Sequence, residues 1–177
     1  MLSNNAECRN QEMSSIYYVD FNSKAETIWS PFLEQLLFKA GDFMLVPNAL
    51  TPEIYCHFHE LAGFRRYDIT DVEEALQNTL YSVVAYNEGE PVGIARVIGD
   101  GRITFFIKDV IVHPEFRNRQ CGKKLMENIL MFIEEEACAG ACIGLMSTVG
   151  KEPFYEKFGF EQRPNEAHGA GMIKYNE

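Results

Sequence analysis

Asp109-Val110-Ile111-Val112-His113-Pro114-Glu115-Phe116-Arg117-Asn118-Arg119-Gln120-Cys121-Gly122-Lys123-Lys124-Leu125 carries a strand pattern into a cationic turn and then into a helix. Upstream, Ile107 and Lys108 extend the β-branched run, and Pro114 ends its ladder because proline has no backbone donor. From Gly122 onward, Leu125, Ile129, Phe132 and Ile133 recur at helical spacing. Residues Arg117 to Lys124 therefore lie where the free N–H groups of a helix start collect. The positive end of the helix dipole favours an anion there, and Arg117, Arg119, Lys123 and Lys124 add formal charge. The pattern reads as a phosphate site.

The run Arg117-Asn118-Arg119-Gln120-Cys121-Gly122 resembles the acyl-CoA pyrophosphate loop of the GNAT superfamily of N-acetyltransferases, whose pattern is Arg/Gln-x-x-Gly-x-Gly/Ala. Arg117 and Gly122 fill the first and last positions, and Gln120 stands where the first glycine belongs. If that position takes positive φ, Gln120 carries strain that glycine avoids. Phe154-Tyr155-Glu156-Lys157-Phe158-Gly159-Phe160 is similar to the segment that follows the fifth strand in the same superfamily. The resemblance covers residues 43–177, and the ending from Arg163-Pro164-Asn165 to Gly171-Met172 is similar to a group of bacterial small-molecule acetyltransferases.

The resemblance implies an α/β chain with the GNAT fold. That fold has a central mixed, mostly antiparallel sheet, flanked by helices and splayed between its fourth and fifth strands. The cosubstrate would be acetyl-CoA, with its pantetheine arm in the gap between Asp109–Val112 and Ala141–Thr148. Backbone groups of a bulge at Val110, Ile111 and Val112 would meet the pantetheine and the thioester oxygen. Arg117, Asn118, Arg119, Gln120, Cys121, Gly122, Lys123 and Lys124 would hold the pyrophosphate, and Lys157 joins the cofactor-binding set. Tyr155 aligns with the tyrosine that protonates the coenzyme thiolate, and a phenol near pKa ~10 still holds its proton at neutral pH.

An alkylammonium near pKa ~10 must lose a proton before it attacks a thioester, so a carboxylate is the natural helper. Asp109 lies on the strand that lines the expected site and is the second catalytic candidate. An exposed aspartate near pKa ~3.9 is a weak base, so anchoring of the ammonium is favoured over proton removal. The structural alternative is an ion pair with Lys108 or Arg96. His57 and His59, two apart on a helix, do not share a face, and no metal site is expected. His113 reads as a strand-end residue, His168 as either a border of the acceptor pocket or an ordinary loop residue, and Cys121 as a small loop residue.

With 177 residues and 46% apolar composition, the chain can bury one core. No apolar run is long enough for a membrane span, and Met1 to Gln11 is polar, so membrane and secretory roles are not expected. Five cysteines without a paired arrangement read as free thiols in the cytoplasm. A net charge of −10 argues against nucleic acid as a partner; it reads first as solubility, and second as a field that would steer a cationic amine toward the protein.

Two regions follow: an N-terminal extension, 1–42, and the transferase domain, 43–177. In the extension, Ile16 to Phe21 reads as a short strand, and Ser30-Pro31 opens an amphipathic helix that packs over the core or a neighbouring subunit, which would allow a homodimer. In the domain, Phe43–Val46 is the first strand, and Thr51-Pro52-Glu53 starts a helix that ends near Gly63. A second helix follows the capping-box spacing of Thr70-Asp71-Val72-Glu73. Leu80–Tyr86 and Pro91–Ile98 flank Asn87-Glu88-Gly89-Glu90 as a hairpin, and a long strand runs from Arg102 to Val112. After the anion-site helix come a strand at Ala141–Met146, a short helix at Pro153–Lys157, and final strands at Phe160–Arg163 and Met172–Tyr175.

The function expected is direct transfer of an acetyl group from acetyl-CoA to a primary amine of a small molecule, in a ternary complex. The alternatives are a protein or peptide N-acetyltransferase, and a non-catalytic acyl-CoA-binding sensor or interaction module.

Overall fold

The computed structural model describes residues 43–176, in the order β1 (Met44–Pro47), α1 (Pro52–Ala62), α2 (Ile69–Gln77), β2 (Tyr81–Asn87), β3 (Glu90–Gly99), β4 (Thr104–Val112), α3 (Cys121–Glu136), β5 (Cys142–Leu145) and α4 (Glu152–Glu156). The strand and helix expected within residues 1–42 lie outside the described residues. Local chemistry explains most of the order. Glu88 and Gly89 both have positive φ, 52° and 85°, the hand that lets a two-residue turn join β2 to β3 without splaying them. Thr51 caps α1 by accepting from the Ile54 amide at 3.3 Å, Pro52 follows in the first turn, and Gly63 closes the helix in the left-handed conformation. Asp100 Oδ1 accepts from the amides of Arg102, Ile103 and Thr104 at 2.8 to 3.0 Å and fixes the turn into β4.

The five strands form one sheet in the order β1-β2-β3-β4-β5, antiparallel except for the parallel pair β4-β5. Alternation along β2 sends Val83 and Ala85 to one face and Val84 to the other. On the first face Val97, Phe105 and Ile107 pack with Leu125, Met126, Ile129 and Ile133 of α3. On the second, Ile94 and Ile111 pack with Phe58 of α1. The sheet is thus covered on both sides, which a parallel strand pair reached by a helical crossover requires. Gly93 lets α3 come close: a methyl group there would stand 3.0 Å from Cys121 Sγ and from Leu125 Cδ1. No helix among the described residues is long and apolar enough to cross a membrane.

Two expectations fail. The second helix begins at Ile69, with Asp68 at its N-cap and no side-chain capping bond, so the Thr70 box is not used. Asp68 already has the extended backbone of a cap, which leaves Thr70 inside the first turn. Neither Phe160–Arg163 nor Met172–Tyr175 forms a strand. Pro164 cannot donate to a ladder, and Asn165 Oδ1 accepts from the amides of Ala167 and His168 at 3.0 and 2.9 Å, which folds this stretch into a local turn. Met172 and Ile173 remain exposed, since strand propensity yields a strand only where a neighbouring strand is available.

Candidate active site

The turn between β4 and α3 is open toward an anion. The amides of Phe116 and Arg117 bond to the carbonyls of His113 and Pro114, and Lys124 N–H returns to Gln120. Between them, the amides of residues 118–123 meet no acceptor among the described residues. The helix start has no side-chain cap. Unsatisfied donors, the positive end of a long helix and the exposed Arg117, Arg119 and Lys123 therefore coincide. Arg117 Nε also donates to the Val112 carbonyl at 3.3 Å, which ties the turn to the end of the strand.

Gln120 has φ +68°, so it does occupy a left-handed position. A side chain there costs about 1–2 kcal/mol relative to the right-handed region. Gln120→Gly is expected to stabilise the fold by roughly 0.5–1 kcal/mol after the entropy that glycine loses. Thermal denaturation reads this, and a lower melting temperature would show that no strain is stored here. Gly122 faces the start of the gap: a methyl group there would lie 3.5 Å from Phe154 Cζ and 3.6 Å from Val112 Cγ2.

β4 pairs with β5 only from Thr104↔Cys142 to Ile107↔Leu145. Beyond that the strands part, so Lys108 to Val112 have no β5 partner. Phe154 and Tyr155 of α4 pack against the same core as Val110 and Val112, with the two rings in edge contact at 5.0 Å. Burial pushes the Tyr155 phenol above its ordinary value, so it keeps its proton through neutral pH. Its hydroxyl has no hydrogen-bond partner among the described residues, which leaves the proton available for donation. A cavity of about 720 Å³ opens beside Tyr155, between β5, α4 and the segment to Gly171.

Residues 78–162 match the family model for the acetyltransferase (GNAT) domain. These residues form a GNAT acetyltransferase domain. The chain that carries this GNAT domain is 36% identical over 115 residues to GCN5-related N-acetyltransferase 1, chloroplastic, of Arabidopsis thaliana, covering 63% of the chain and 57% of that relative. It is 25% identical over 116 residues to serotonin N-acetyltransferase 2, chloroplastic, of Oryza sativa, again covering 63% of the chain and 57% of the relative. The chain thus spans little more than half the length of these plant proteins. A probable acetyltransferase of unknown function from meticillin-resistant Staphylococcus aureus superposes with a TM-score of 0.68 at 28% identity, over 76% of this chain and 100% of that one.

Asp109 departs from its expected surroundings. It is not an exposed carboxylate: its side chain is 5% exposed, and both oxygens are taken. Arg96 Nε donates to one at 2.6 Å, and His59 Nε2 donates to the other at 3.1 Å. The expected structural alternative, an ion pair with Arg96, is thus what the structure contains, and Lys108 takes no part in it. Burial by itself would raise the Asp109 pKa, but the hydrogen bonds from His59 and Arg96 and their charge outweigh it and hold the carboxyl below its ordinary range. The stabilisation Asp109 provides is therefore complete above the unfolded value of ~3.9 and is lost as pH falls through the folded one. Asp109→Asn is expected to lower the urea midpoint at neutral pH and to flatten its fall as pH drops below the ordinary carboxylate value of ~3.9. Parallel curves for both proteins would refute this linkage.

His113 Nδ1 accepts from the Glu115 amide at 3.3 Å, as suits a strand-end residue. Cys121 is buried, and burial pushes its thiol up to about 11 against the pull of Lys124, so it is no nucleophile. Lys157 is exposed at the end of α4. His59, which sequence reasoning passed over except as a metal ligand, is part of the buried charge cluster. The signal for that cluster is Arg96, a charged residue within an apolar strand, which demands a carboxylate nearby.

Proposed function

We propose that this GNAT domain transfers an acetyl group from acetyl-CoA to a primary amine of a small molecule, by direct attack within a ternary complex. The observation that carries the reading is the meeting of three features: the open amides of residues 118–123, the strand gap beyond Ile107 and Leu145, and a protonated Tyr155 at a cavity. Acetyl-CoA supplies a thioester carbonyl and a thiolate leaving group. Residues 118–123 with Arg117, Arg119 and Lys123 suit its pyrophosphate, and the unpaired stretch Lys108 to Val112 suits the pantetheine amides. Tyr155 would supply the proton that the departing sulfur takes.

Several observations support an amine. Glu152, Glu156 and Glu161 line the cavity with Phe158 and Phe160. Those carboxylates and rings favour a cation with apolar surface, and the chain's charge of −10 would raise its local concentration. One of the plant relatives is named for acetylating serotonin, an amine of this kind. With both oxygens of Asp109 engaged, we place the ammonium at this acidic lining and not at Asp109. Among the described residues Cys56, Cys121, Cys138 and Cys142 are free, which fits the same reading in a reducing compartment.

One observation favours a peptide acceptor. The outer edge of β5 pairs with no strand among the described residues, and its whole length borders the cavity. A polypeptide could add there through main-chain hydrogen bonds. A panel of aralkylamines, polyamines and peptides, scored by thiol release from acetyl-CoA, separates the readings. Turnover with small amines alone supports the proposal, turnover with peptides alone supports the second reading, and no turnover at all with tight acetyl-CoA binding would leave a sensor.

A further inference from the structure

Asp109 stands at φ +55° within β4, a left-handed position that is costly for any residue but glycine. Ile94 pairs with Ile111 and Arg96 with Lys108, so Asp109 and Val110 together face the single residue Ala95. A bulge with such a backbone persists only where its surroundings over-determine it. Here the determinant is the carboxylate held by Arg96 and His59. These two are themselves fixed. Arg96 Nη1 donates to Thr79 Oγ1 at 3.1 Å, and its guanidinium lies 5.3 Å from the centre of the Tyr55 ring. His59 stacks on that same ring at 4.0 Å, and its Nδ1 lies 3.3 Å from the Arg65 carbonyl. α1, β3 and the loop after α1 therefore converge on one side chain of the bulge.

We propose that His59 and Arg96 are positioning residues for acetyl transfer: through Asp109 they hold the β4 bulge and so fix the direction of the backbone groups of Val110 and Ile111. The inference rests on the reading that a thioester is bound at this strand. Neither residue has to touch the reacting atoms. A displacement of about 1 Å at the bulge would be enough to cost on the order of 10²-fold in rate.

The test compares His59→Leu, which keeps apolar bulk but removes the donor, with His59→Gln, which restores one. Amide hydrogen exchange on the full chain without ligand is expected to be about tenfold faster at residues 109–111 in His59→Leu, with the α3 amides within roughly twofold of wild type. His59→Gln should recover most of that protection. With acetyl-CoA and an acceptor from the panel, His59→Leu should lower kcat by about tenfold or more, a larger factor than any loss of CoA affinity, because the phosphate turn is built from other residues and only the pantetheine contacts share the bulge. The double variant with Asp109→Gly should be no slower than Asp109→Gly alone, since His59 acts through that carboxylate. If His59→Leu does not fold, Arg96→Lys, which keeps the charge and loses the fork, carries the same comparison. Unchanged exchange at 109–111, losses spread evenly over α3 and the bulge, or additive effects on kcat would overturn the proposal. If the wild-type protein turns over no acceptor, the transfer reading fails, whereas the exchange result still decides whether the clamp holds the bulge.

Discussion

Replacing Tyr155 with phenylalanine is expected to lower kcat by about 10²–10⁴-fold, the usual contribution of a positioned general acid. The substitution keeps the ring and therefore its edge contacts with Phe154 at 5.0 Å and Phe160 at 6.3 Å. Only the hydroxyl is lost, and that hydroxyl has no partner among the described residues whose loss would disturb the fold. Coenzyme affinity should stay close to wild type, because the substitution removes only a hydroxyl and leaves Phe154, the α4 ring beside Gly122, in place. An interaction made only in the transition state lowers kcat and kcat/KM together, and this is the signature to look for. The direction of the phenol's pKa adds a check. Burial holds it above its ordinary value, so the wild-type rate should not fall at mildly alkaline pH through loss of this proton. Wild-type kcat for Tyr155→Phe, where chemistry limits turnover, would remove Tyr155 from the mechanism.

The strand, cationic turn and helix start from Asp109 to Leu125 were legible in the sequence because their signals are local. Pro114 ends the strand, the cations cluster within eight residues, and the apolar spacing from Leu125 to Ile133 marks the helix. The same holds for the Glu88-Gly89 turn and for Thr51-Pro52 with Gly63 around α1. The position of Gln120 was also readable, since a missing glycine in that pattern carries a conditional statement about φ that the structure meets at +68°. Asp109 was not readable in this way. Its partners lie 13 and 50 residues away, and its carboxylate meets them only because a bulge turns it toward α1. Alternation along β4 predicts faces for an unbroken strand, and one extra residue changes the face of everything around it. The segment Met172–Tyr175 failed for the opposite reason. Its residues favour a strand, yet a strand requires a partner that local composition does not specify.

The claim on which the account rests is that the pyrophosphate of acetyl-CoA is held at the turn from Arg117 to Lys124. Gly122→Glu tests it. The position points toward Phe154 and Val112 at ordinary contact distance, so an added methyl group is tolerated, but a longer side chain must leave that space and enter the mouth of the turn. There it would set a carboxylate against the open amides of residues 118–123 and take up the donors that a phosphate needs. Gly122→Ala is the control for bulk alone and should bind nearly as wild type. Calorimetric titration of acetyl-CoA into the three folded proteins decides the matter: the account predicts binding by wild type and Gly122→Ala, and a loss of about 100-fold or more, near 2.7 kcal/mol, in Gly122→Glu. Equal affinity in all three would place the coenzyme elsewhere and contradict it.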